Sequence, residues 1–163
     1  MTGARPGELL DRFVARLIDL ILVGVVAGII NVLIAVIFGF SGGFGGMGGG
    51  FAYGAISAII STIIYLGYFT YMESSQGKTL GKMIMKLRVV GVAGGNPTTE
   101  EAAKRNIWLG LPILGIIPIL GGLVAFVGEI AAIIMCAVGI SNDPQRRHWF
   151  DNFAGGTQVL KEG

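Results

Sequence analysis

The sequence predicts an all-α membrane protein: a four-helix transmembrane bundle, its third helix short and broken by proline and glycine, with a short basic amphipathic helix at the interface in the middle loop. Composition is the first reason. The 163 residues are 53% hydrophobic and 13% charged, with mean hydropathy +0.73, whereas ordinary soluble chains carry about 25% charged residues. Distribution is the second reason. Phe13–Phe38 contains Arg16, Asp19 and the amide Asn31, Phe51–Met72 contains no charge, and Ile107–Ile140 contains only Glu129. A helix needs about 20 mainly apolar residues to cross a bilayer, so these blocks are long enough.

The first span is expected over about 13–38 and is retained, because its apolar run exceeds the roughly 7–15 residues of a cleavable leader, and Glu8 and Asp11 precede it beside the arginines. Arg12, Arg16 and Asp19 are spaced i+4 and i+3 and share one helix face. Asp19 should lie about 9 Å inside the span, where an unpaired carboxylate is costly. Arg16 is its expected partner, and Arg12 is expected to snorkel to the headgroups. The Gly-rich "GFSGGFGGMGGG" reads as a flexible outer connection. In the second span, about 51–72, Ser57, Ser61, Tyr65 and Tyr68 form a stripe suited to packing on another helix.

The loop 73–103 is expected in the cytoplasm and is more than a linker. In "GKTLGKMIMKLRVV", Leu80, Met83, Ile84 and Leu87 follow a helical period, while Lys78, Lys82 and Lys86 form a basic stripe suited to anionic lipid. "LRVVGVAGGNP" then reads as a strand and turn, and "TTEEAAKRN" opens a helix capped by Thr98 or Thr99. The third apolar block would make about 51 Å of helix, too long for one ordinary span. Pro112, Pro118, Gly121 and Gly122 divide it into expected helices at about 104–120 and 122–140; a re-entrant hairpin followed by one span is the alternative. Gly122, Ala125, Glu129, Ala132 and Cys136 share a stripe that directs Glu129 inward. Leader, middle loop and tail 141–163 all carry basic residues, which predicts that both ends are cytoplasmic.

Several chemistries are excluded. "GKTLGK" has Met72 where a phosphate loop needs its first glycine, and the glycine run lacks the strand, helix and acidic residue of a dinucleotide site. Cys136 is the only cysteine, so no intrachain disulfide or cysteine cluster can form, and His148 lacks nearby co-ligands. No nucleophile, base and electrophile can be named together, so no enzyme, cofactor, metal site or nucleic-acid partner is expected.

"RFVARLIDLIL", "QGKTLGKMIMKLRVV", "RN" at the third block and "DNFAGGTQVL" together resemble the RDD family of small bacterial membrane proteins. The resemblance runs from about Arg12 to Leu160 and implies a single transmembrane domain over 1–163 in the bacterial inner membrane. It puts the family's aspartates on Asp19 and Asp151 and its arginine on Arg12, with Arg16 as the alternative. The middle motif falls on Gly77, Gly81 and Lys82, and the arginine of the third block on Arg105. The family commonly has histidine directly before the second aspartate; here Phe150 stands there and His148 lies earlier. Some members are thought to exchange sodium or other monovalent cations for protons. The candidate cluster is therefore Arg12, Arg16, Asp19, Arg105, Glu129 and Asp151, serving ions and protons or structure. Two functions follow as expectations: a monovalent cation/proton transporter or its subunit, and a non-transporting accessory or scaffold subunit of a larger complex. Either implies a bilayer with anionic lipids and a homo-oligomer or larger assembly.

Overall fold

The computed structural model describes residues 4–40, 47–117 and 120–162. It is mostly helical, and three helices are long and apolar enough to cross a membrane: α1 (Leu9–Phe40), α2 (Met47–Gln76) and α5 (Gly121–Asn142). The shortest, α5, rises about 33 Å at 1.5 Å per residue, against about 30 Å of hydrocarbon. Their outer faces are apolar, with Ile21, Val25 and Val32 of α1 and Leu123, Phe126 and Ile134 of α5 all more than half exposed. Residues 41–46 of the expected Gly-rich connection, and Pro118, lie outside the described residues.

Polar side chains face inward. At the α1/α2 seam the Asn31 amide donates to the Ala27 carbonyl at 2.8 Å and to Ser61 Oγ at 3.1 Å, while the Ser57 hydroxyl donates to Asn31 Oδ1. The expected Ser/Tyr stripe therefore meets α1, and hydrogen bonding there replaces the hydrophobic drive that lipid removes.

The expected span at 104–120 is not a regular helix. A short helix α4 (Thr99–Asn106) passes into a ten-residue 3-10 helix, Ile107–Ile116. Pro112 inside that segment cannot donate to a helical ladder. At about 2.0 Å per residue the segment rises about 20 Å, too short to cross by itself. The chain then turns into α5 at Gly121, where a Cβ would collide with the Leu114 carbonyl. Thr98 is the α4 N-cap, in a reciprocal box: Glu101 N–H donates to Thr98 Oγ1 at 3.2 Å and Thr98 N–H to Glu101 Oε2 at 2.7 Å.

One end of the helices carries a small cap. Strands β1 (Arg5–Pro6), β2 (Leu87–Val90) and β3 (Gln158–Lys161) form an antiparallel sheet in the order β1-β3-β2. The register pairs Pro6 with Leu160 and Val89 with Val159; Pro6 sits on an edge strand, where its missing donor costs no ladder bond. Leu87, Val89 and Val159 bury with Ala15 as the cap's core. The expected strand at 87 is present, whereas β1, β3 and a five-residue helix α6 (Trp149–Phe153) carry no periodic signal long enough to read. The cap brings the described first and last segments to one end of the bundle.

The basic amphipathic helix needs correction. It is α3 (Leu80–Ile84), five residues long, and Lys86 beyond it adopts φ 54° to turn the chain into β2. Leu80, Met83 and Ile84 point outward, while Gly81 and Lys82 are buried against the bundle. Lys82 is therefore not a surface lysine, and Lys78 pairs with Glu162; of the three, Lys86 is the exposed one.

Candidate functional site

Buried charge concentrates where the cap meets the helices. Asp19, one turn beyond Ala15 on α1, is fully buried and held by three donors. Its Oδ1 accepts from the Tyr68 hydroxyl and the Gly81 N–H, both at 2.8 Å, and its Oδ2 from the Thr79 hydroxyl at 2.5 Å. Thr79 also caps α3. Gly81 is required here by close approach, because a Cβ would strike the Ala15 carbonyl and lie 3.0 Å from Asp19 Cγ. The expected Arg16–Asp19 pair does not form. Neutral donors hold the carboxylate instead, and they dock α3 on α1.

Beside it runs a chain of ion pairs, Arg12–Asp151–Arg105–Glu73–Lys82. Arg12 Nη1 lies 3.2 Å from Asp151 Oδ2, and Arg105 reaches both Asp151 Oδ1, at 3.1 Å, and Glu73 Oε2, at 3.2 Å. Lys82 closes on the other Glu73 oxygen. All five side chains are buried, a placement tolerable only when each charge is paired and hydrogen-bonded. Further hydrogen bonds support the chain: Arg12 donates to the Gly7 and Val159 carbonyls, Thr157 donates to Asp151 Oδ1 at 3.1 Å, and Asn106 donates to Glu73 Oε2 at 2.9 Å. Arg12 therefore points into the cap and does not snorkel.

His148 works as a cap residue. Its Nδ1 accepts from the Asp151 N–H at 3.1 Å and its own N–H donates to Asp151 Oδ2 at 3.2 Å, a reciprocal box that starts α6. Burial, with Arg105 and Arg12 nearby, pushes the imidazole down to about 3 against the opposing pull of Asp151. Burial alone would raise Asp151, but Arg105, His148 and Arg12 hold it at about 2. Burial lowers Lys82 to about 8 despite Glu73. At neutral pH the histidine is neutral and the other two groups are charged.

Arg16 differs from the other cations. Its Nη2 donates to Asn106 Oδ1 at 3.0 Å, and its guanidinium lies 4.0 Å from the Phe69 ring centre and 5.3 Å from that of Trp108. Among the described residues no carboxylate pairs with it. A cavity of about 200 Å³ between α1 and α5 is lined by Arg12, Arg16, Asp19, Lys82, Arg105 and His148 on its polar side. Glu129 is half-buried on the same face of α5 as Ala125 and Ala132, yet it does not line this cavity or pair with Asp19 or Arg16. Among the described residues no group of acidic, histidine or cysteine side chains could hold a metal.

Of the six expected cluster residues, Arg12, Arg105 and Asp151 join one network, Asp19 and Arg16 flank it, and Glu129 stands apart. Glu73, Tyr68, Thr79, Lys82, Asn106 and Thr157 complete it. Glu73 was readable in principle, since it continues the buried face of Thr62 and Phe69 one turn on.

Comparison with curated proteins and with solved structures finds no match. A family model does match, and it spans residues 6–155, from β1 through α6, so that every member of the ion-pair chain falls inside it. The chain belongs to the RDD family.

Proposed function

We propose that the protein is a multi-pass membrane subunit that docks on other membrane proteins and is not itself a transporter or an enzyme. Saturation of its carboxylates supports this reading. Asp19 accepts from three donors, and Glu73 and Asp151 are each held by two cations. An incoming cation would have to displace those donors while facing Arg12, Arg16, Lys82 and Arg105.

The topology proposed has four crossings, the third including the 3-10 segment, with both ends and the cap on the cytoplasmic face of a bacterial inner membrane. The Lys and Arg content of the cap supports that orientation. Leu80, Met83 and Ile84 of α3 would rest in the interface with Lys86 toward anionic headgroups. The assembly proposed is a larger membrane complex, with a homo-oligomer alone as the alternative. Maleimide labelling of Ala4→Cys and Gln145→Cys, each in a Cys136→Ser chain, should give cytoplasmic protection of both; labelling of one end from outside overturns the topology. Purification of the full chain in mild detergent should recover a stoichiometric membrane partner. Recovery only as a homo-oligomer overturns docking.

Monovalent cation/proton exchange is the second reading, favoured by the cavity that Asp19 and His148 reach. Reconstituted vesicles with a sodium gradient should then move protons, and Asp19→Asn with Glu129→Gln should stop them. Flux that survives both substitutions removes these residues from the reading.

A further inference from the structure

Among the described residues, three hydrogen-bond donors at the α1/α5 cleft have no acceptor. They are Nη1 of Arg16, Nη1 of Arg105 and Nε1 of Trp108, all buried, and all three residues line the cavity of about 200 Å³. Arg105 exposes only 2% of its side chain, so bulk water cannot serve as its general partner. Among the described residues no buried side-chain acceptor of the lining is stranded in the same way. The unpaired groups at the polar end of the cavity are thus donors, the signature of a seat for an anion.

Charge gives the same sign independently. Four cations, Arg12, Arg16, Lys82 and Arg105, stand beside three carboxylates, Asp19, Glu73 and Asp151, and His148 is neutral. Asp19 also lines the cavity, but its oxygens are taken by Tyr68, Thr79 and Gly81. Among the described residues Arg16 is the one of the four that pairs with no carboxylate. Apart from Cys136 the remaining walls are hydrocarbon, including Phe13, Leu20 and Ile133, and Phe13 and Ile133 are 60% and 54% exposed on the outer faces of their helices. The cleft therefore opens toward the bilayer, and a chain could enter it sideways.

We propose that the cleft between α1 and α5 seats one anionic phospholipid, its phosphate oxygens accepting from Arg16, Arg105 and Trp108 and an acyl chain lying along Phe13, Leu20 and Ile133. A small inorganic anion would leave the hydrocarbon walls unused, and a zwitterionic lipid would leave the excess charge uncompensated. The site depends on placement in a bilayer and is independent of whether the protein docks or transports.

Trp108 reports on its own site once Trp149→Phe makes it the sole tryptophan. The full chain with that substitution, in neutral detergent micelles, is titrated with brominated phosphatidylglycerol and brominated phosphatidylcholine while Trp108 fluorescence is read. Phosphatidylglycerol should quench with about tenfold tighter apparent affinity, the scale of about 1.4 kcal/mol. Arg16→Gln should erase that preference. Ala137→Phe, which fills the cavity from α5 without touching a charge, should weaken quenching by phosphatidylglycerol and keeps the experiment decisive if Arg16→Gln does not fold. Millimolar inorganic phosphate should leave quenching unchanged. Equal quenching by the two lipids, or relief by inorganic phosphate, overturns the proposal.

Discussion

Arg105 and Asp151 meet with Nη2 3.1 Å from Oδ1, exposing 2% and 0% of their side chains. Arg105 lies in the last turn of α4 and Asp151 in the first turn of α6, so this contact joins the start of the third apolar block to the cap; the other side of the same guanidinium binds Glu73 of α2. Arg105 is thus the shared partner of two buried carboxylates. Arg105→Met should take one of two cations from each, leaving Asp151 to Arg12 and Glu73 to Lys82, and cost about 1–3 kcal/mol. Thermal unfolding in detergent measures it, and a loss below about 1 kcal/mol would mean that solvent already reaches the carboxylates.

Asp19→Asn exchanges one carboxylate oxygen for an amide, which sets donor against donor at Thr79, Tyr68 or Gly81. The expected loss is about 1–3 kcal/mol. Limited proteolysis between α2 and α4 should accelerate with it, because those donors fasten α3 to α1.

Gly81→Ala should destabilise by about 1–3 kcal/mol through overpacking, since its Cβ would enter the Ala15 carbonyl. Gly122→Ala is the matched control. A Cβ there meets nothing within 4 Å, and its effect should stay within about 0.5 kcal/mol. Denaturation midpoints of the two variants, measured side by side, decide the matter.

Acid should destabilise the cap in two stages. His148 sits at about 3 in the fold against 6.5 as a free side chain, so the unfolded chain takes up its proton first and stability falls as pH drops from about 6.5 toward 3. Asp151, about 2 against 3.8, contributes stability above about pH 4 that disappears as pH falls through 2. His148→Asn keeps a side chain able to cap α6 and should flatten the first stage only. Lys82, about 8 against 10.5, acts at the other end: stability should rise with pH between 8 and 10.5. Unfolding midpoints of the wild type and His148→Asn across pH 4–10 test all but the lowest interval.

The three long helices are legible because lipid demands one property over about 20 residues, and α1, α2 and α5 supply it in unbroken runs. The 3-10 segment is not. Pro112 signals an interruption of α-helix, but no spacing rule distinguishes a kink from a tighter helix. Arg12, Asp19, Arg105 and Asp151 stand out as rare polar groups in or near apolar blocks, and their partners do not. Periodicity reports which face a residue shares, not which distant residue meets it, so Arg16 looked like the partner of Asp19 when Asn106, Phe69 and Trp108 take it. Glu73 and Lys82 read as loop and surface because α2 extends one turn beyond its last apolar residue.

The pairing of β1 with β3 sets a schedule for biogenesis. Arg12 leaves the ribosome early, yet its carboxylate follows 139 residues later. Throughout that interval the inserting hairpin holds a cation whose final counter-ion has not been translated, and Gly7 and Pro6 await a strand made more than 150 residues later. A messenger cut shortly before Val159 would yield three long apolar helices whose capped end never locks, and quality-control proteolysis would meet that end first.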